Sequence, residues 1–168
     1  MPALPSRMRG SPEEAFLFNP AFLGSITYEF VKTYSKERTA TPVTLVAVGL
    51  SAALHKNTRS RLPYSTVSSL YGWLQGNEDL LVGFAGRTAG LVPYVKRGLI
   101  FALNCEVLDL SGAHSVAPGK LKANFPAGFL QDSTYETRDI VDRVKFLARW
   151  FAKSGSESTI MAAWGVKP

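Results

Sequence analysis

The chain has little of what enzyme chemistry uses. Its 168 residues hold two histidines, His55 and His114, and one cysteine, Cys105. A single cysteine excludes an internal disulfide and fits a reducing, cytoplasmic setting. Cys105 lies in the apolar stretch Leu99 to Val107 and reads as a buried thiol. Nucleophilic and acid–base catalysis need a nucleophile, a base and an orienting group that converge. Neither histidine has a companion at metal-ligand spacing, and His114 reads as a solvated turn residue. Gly83-Phe84-Ala85-Gly86 lacks the lysine and the spacing of a phosphate-binding loop. The thirteen acids are scattered singly, without the pairing a metal-dependent nuclease needs. We therefore expect no catalytic centre, no cofactor and no metal. The longest apolar run is about a dozen residues, against roughly 20 for a membrane span, so no membrane partner is expected. The start of the chain also lacks the apolar core of a signal peptide.

Acids are missing from whole stretches as well. Between Glu37 and Glu78 there is none, while Arg38, Lys56, Arg59 and Arg61 fall there. Between Asp79 and Glu106 there is again none, with Arg87, Lys96 and Arg97 inside; between Asp109 and Asp132 the only charges are Lys120 and Lys122. The densest stretch is Leu54-His55-Lys56-Asn57-Thr58-Arg59-Ser60-Arg61-Leu62-Pro63. It reads as an exposed loop of unpaired cations after a buried element. His55, Lys56, Asn57, Thr58, Arg59 and Arg61, with the cations of the other two windows, are therefore candidates to meet an anionic partner, either nucleic acid or an acidic protein face. The total charge of +6 is moderate, and hydrophobic residues reach 46% against 19% charged. That balance suits a protein that hides surface in a complex.

Residues 1–10 are expected to form a frayed tail, and residues 11–168 one domain, long enough for a real core. Ser11-Pro12-Glu13-Glu14 has the form of a helix start, and Asn19-Pro20 opens a longer helix to Arg38, with Phe22, Ile26, Phe30 and Tyr34 on one face. Val43 to Leu54 reads as a buried helix. Further helices are expected from Ser65 or Thr66 to Gly76, from Glu78 to Gly90, from Pro93 to Asn104, from Thr134 to Lys153, and near the end of the chain. Val107 to Leu110 and Lys120 to Lys122 read as paired strands around a Gly/Pro-containing loop. The fold class is thus mainly α with a small β-hairpin (α+β), and the order of elements is winged-helix-like. A plain helical bundle with one hairpin would read the same. On the helix from Thr134, Phe146 and Trp150 fall off the stripe Ile140, Val144, Leu147 and Phe151. A second stripe means burial on two sides or a docking patch. Phe146, Trp150 and Trp164 are therefore candidate hydrophobic docking residues.

Asn19-Pro20-Ala21-Phe22-Leu23, Leu54 to Arg59, Trp73-Leu74, Pro93-Tyr94 before an apolar helix, and the ending Gly165-Val166-Lys167-Pro168 occur in a familiar order. Together they resemble the middle component of the three-component ABC (ABC-3C) systems of bacteria, the small accessory subunit of Lamassu-type anti-phage and anti-plasmid defence. The likeness runs from about Asn19 to Pro168, and each motif is short. It leaves residues 1–10 outside, with Met8 as a second candidate start. The resemblance implies an SMC-like ABC ATPase and an effector subunit, often a nuclease, as partners. The chain would then be a non-catalytic adaptor that helps hold the effector inactive until foreign DNA is sensed. The competing expectation is an autonomous winged-helix regulator that binds DNA. No helix carries the Arg, Lys, Asn and Gln density expected for reading a major groove.

Overall fold

A computed structural model describes residues 16–125 and 127–167. The protein is mainly α-helical with a small three-stranded antiparallel sheet. The expected tail at residues 1–10 and the helix start at Ser11 to Glu14 lie outside the described residues.

Helix α1 (Pro20–Tyr34) starts where the sequence places it. The Asn19 side chain accepts from the Ala21 amide at 2.8 Å, and Pro20 fills a position whose N–H has no helical partner. The helix stops at Tyr34, short of Arg38, and three turn bonds carry the chain on. Thr41–Pro42 forms β1, and α2 (Val43–Leu54) follows directly, without one charged residue and with every residue from Leu45 to Ala53 buried. A short α3 (Lys56–Arg61) replaces the expected basic loop. Helix α4 (Leu70–Gln75) begins later than expected, capped by Ser69, and Val67 stands 92% exposed before it.

The two helices expected on either side of Gly90 to Pro93 are a 3₁₀ turn, Glu78–Leu81, and one long helix, α5 (Phe84–Asn104), with Pro93 inside it. Proline removes one backbone bond and crowds the preceding turn. Here Ala89, Gly90, Val92 and Pro93 all face solvent, so water reaches the freed carbonyl. On the opposite side Leu91, Val95, Gly98 and Ala102 are buried and hold α5 against α1. The two helices touch backbone to backbone. A Cβ on Gly98 would lie 2.9 Å from the Gly24 amide nitrogen, and one on Gly24 would lie 2.9 Å from the Gly98 carbonyl oxygen.

Strands β2 (Leu108–Leu110) and β3 (Ser115–Pro118) form the hairpin, with β1 on the other edge of β3 in the order β1-β3-β2. The second strand is thus nearer than the expected Lys120 to Lys122. Gly112, at φ 91°, takes the left-handed turn, and the Ser111 amide closes the loop on the Ser115 carbonyl at 2.8 Å. Leu108 and Val116 press one face of the sheet into the core. After α6 (Ala127–Asp132), Thr134 caps α7 (Tyr135–Lys153) by accepting from the Thr137 amide. The stripe Ile140, Val144, Leu147 and Phe151 is buried as expected. Helix α8 (Glu157–Ala163) ends the fold, and Trp164 beyond it stacks on Phe84 at 4.7 Å. Each large apolar side chain sunk here contributes about 1.5–3 kcal/mol against conformational entropy.

Candidate functional site

The stretch from His55 to Arg61 was expected to present unpaired cations, and for its two arginines the structure overturns that. Arg59 is only 3% exposed. Its Nε donates to Asp139 at 2.8 Å, one terminal nitrogen to Glu136 at 2.8 Å and the other to the Ala53 carbonyl at 2.8 Å. The guanidinium fork therefore ties α3 and the end of α2 to the first turns of α7. Arg61 holds both carboxylate oxygens of Asp79, at 2.5 and 3.0 Å, and the Asn77 side-chain oxygen at 2.6 Å. That contact lowers the Asp79 carboxyl below its ordinary value. Thr58 is also buried, which leaves Lys56, Asn57 and Ser60 as the exposed part of the stretch.

His55 caps α3. Its Nδ1, unprotonated, accepts from the Thr58 amide at 3.4 Å and the Thr58 hydroxyl at 2.8 Å. Burial, then the charges of Arg87 and Arg59, push the imidazole pKa below its ordinary value. Arg87 is spent inside the fold as well. It donates to the Val82 and Leu80 carbonyls and lies over the Phe84 ring at 5.8 Å.

Lys96, Arg97, Lys120 and Lys122 remain on the surface, with Arg97 over the Tyr94 ring at 5.8 Å. Lys120 and Lys122 follow β3 in irregular chain rather than forming a strand. Lys96 and Arg97 sit on the outer side of α5 among the exposed Val92, Ile100 and Phe101. This face combines apolar area with positive charge and has no acid on its helix.

The three expected docking aromatics are interior. Phe146, Trp150 and Trp164 are 4%, 1% and 0% exposed, so they form no exposed patch. Trp150 donates to the Ser68 carbonyl at 2.7 Å, and Trp73 packs edge-on against it at 5.6 Å. Helix α7 is buried on two sides because α1 and α2 cover one stripe and the segment from Ser68 to Trp73 covers the other. Cys105 departs from expectation in the opposite sense and is exposed, because the helix ends there and the chain turns outward through Glu106 at φ 57°.

Glu136 and Asp139 were missed as partners of the basic stretch. The available signal was their spacing, three apart on one face at the start of a helix. Among the described residues no group of three or more His, Cys, Asp or Glu gathers as a metal site, and no helix is long and apolar enough to cross a membrane. The arrangement offers contact surface and internal ion pairs.

Residues 8–168 match the family described as ABC-three component (ABC-3C) system Middle Component 3. The match starts before Asn19, where the sequence motifs begin. No curated protein matches the chain. No solved structure matches it.

Proposed function

The chain belongs to the Middle Component 3 family of ABC-three component systems, and we propose that it serves there as a non-catalytic adaptor. In this scheme it bridges an SMC-like ABC ATPase to an effector nuclease in a Lamassu-type defence against phage and plasmids, in the cytoplasm. Residues 11–168 act as one adaptor unit. The observation that carries this reading is the outer side of α5, where Val92, Ile100 and Phe101 are exposed around Lys96 and Arg97. Monomeric surfaces rarely leave large apolar side chains grouped in this way unless a partner covers them. The internal use of Arg59, Arg61 and Arg87 supports the same emphasis, since Lys96 and Arg97 on α5 and Lys120 and Lys122 after β3 stay among the exposed cations. Co-expression of the three components, followed by size-exclusion chromatography, tests the reading. Co-elution of this chain with the ATPase is the expected result, and elution of the chain alone overturns it.

A second reading is favoured by one observation. The sheet order β1-β3-β2, with a long helix before the hairpin, supports a winged-helix-like reading in which the hairpin serves as the wing. Lys120 and Lys122 would then contact phosphates beside the wing. The outer side of α5 argues against sequence readout, because its exposed valine, isoleucine and phenylalanine offer bases no hydrogen bonds. Fluorescence anisotropy with a labelled duplex decides it. Salt-sensitive binding lost on K120E/K122E supports direct DNA contact, and no binding at low salt removes it. Arg59 is unsuitable for this test because its replacement breaks the buried ion pairs.

A further inference from the structure

A groove of about 520 Å³ runs between α2, α5 and the chain beyond α8. Its size falls within the roughly 300–1,000 Å³ of sites that take up sizeable ligands. Ala47 and Val48 of α2, Ala89 and Val92 of α5, and Val166 line it. It exists because both helices place small side chains where they face each other. The far wall is fixed by a left-handed turn at Gly165, φ 70°, which lets the Val166 amide bond the Met161 carbonyl at 3.0 Å. Two hydroxyls line the groove and both are already engaged. Thr88 donates to Ser51 at 2.9 Å and Thr44 donates to Glu157. What the groove offers an occupant is therefore apolar surface.

Its charge has one sign. Helix α2 carries no charged residue, and α5 carries no acid. Ala85, Ala89, Val92 and Lys96 follow at intervals of four, three and four, which puts them on one stripe of α5. Lys96 thus follows Val92 by one turn of α5, just beyond the lining residues, and Lys167 lines the groove from the other wall. Glu157, the acid nearest the wall, is held by Thr44.

We propose that this groove docks an amphipathic helix of a partner protein, with large apolar side chains against the alanine floor and carboxylates toward Lys96 and Lys167. The proposal rests on the adaptor reading and names where the partner sits. Two helices enclosing a trough accept a third by interdigitation, with anchors at i, i+3, i+4 and i+7. Carboxylates beside those anchors complement the cationic ends and disfavour like-charged competitors. A second copy of this chain is a poorer occupant, since its net charge is +6.

The test measures affinity of the full chain for each of the other two purified components of its system by biolayer interferometry. Ala89→Glu fills the floor with a charge at an exposed helical position, and Lys96→Glu with Lys167→Glu reverses the ends. Circular dichroism and melting establish that each variant is folded. Ala89→Glu is expected to weaken binding at least about tenfold. The double charge reversal is expected to weaken it several-fold at low salt, with a difference that shrinks in about 1 M salt, where the Debye length is roughly 3 Å. Unchanged affinity for folded Ala89→Glu overturns the groove and leaves the adaptor reading standing. Failure of the wild-type chain to bind either component overturns both. A wild-type dimer dissociated by Ala89→Glu in sedimentation also overturns the proposal, by making the occupant a second copy.

Discussion

The arginines of one acid-free window and the last two cations of the next meet opposite fates. The window holding Arg38, Arg59 and Arg61 finds its partners far away in sequence. Arg38 donates to the Ala152 carbonyl at 2.9 Å, Arg59 reaches Glu136 and Asp139, and Arg61 takes Asp79, just past its window. The window forming α5 keeps Lys96 and Arg97 outside, beside exposed apolar side chains. An acid-free window therefore identifies candidate cations, and the packing of distant elements determines which stay free. Helix α5 shows the same divide across its own width, closed on α1 at Gly98 and open toward the groove at Ala89.

The comparison breaks first at Arg59. Arg59→Ala takes the cation from Glu136, leaves Asp139 only Arg143 at 3.8 Å, and leaves the Ala53 carbonyl without its donor. The expected loss is about 3 kcal/mol, at the low end for a broken buried pair because both acids keep contact with water. Urea titration followed by circular dichroism measures it. Next comes Gly98→Ala, whose methyl group meets the backbone of α1, with Leu23 and Gly24 at 2.8 to 3.0 Å. A rigid neighbour cannot yield, so an overpacking cost of about 1–3 kcal/mol is expected in the same titration. Arg61→Ala is expected to cost less than Arg59→Ala, and its effect should fade as salt rises, since Asp79 is exposed. Equal losses for the two arginines would erase the distinction between the buried and the surface pair.

The smallest effect is a pH dependence at His55. Its folded-state pKa lies below the unfolded value near 6.5, so the unfolded chain binds the proton more readily. Stability should accordingly fall as pH drops below about 6.5 and level off once the folded imidazole also protonates. Protonation removes the Nδ1 acceptor at Thr58 and adds a charge beside Arg87 and Arg59. His55→Asn keeps a capping side chain without that titration, so the difference between the two melting curves should vary with pH in that window.

Local signals carried much of the fold. Asn19-Pro20 marked the start of α1, the uncharged run marked α2 as buried, and the stripe from Ile140 to Phe151 marked the inner face of α7. Helix boundaries near proline were less legible. Pro93 breaks an isolated helix, whereas here buried packing on one side and water on the other carry the helix through it. The second stripe of α7 was visible as Phe146 and Trp150, but its meaning depended on Trp73 and Ser68 arriving from another part of the chain.

By itself the sequence determined the starts of α1, α2 and α7 and the faces that α1 and α7 bury, and that cations outnumber acids over long stretches, because these depend on neighbours within a few residues. Only the tertiary structure decided that Arg59 is interior, that Trp164 belongs to the core, and that a groove opens beside Lys96. Ion pairing and burial act between side chains brought together by folding, and sequence distance does not limit them.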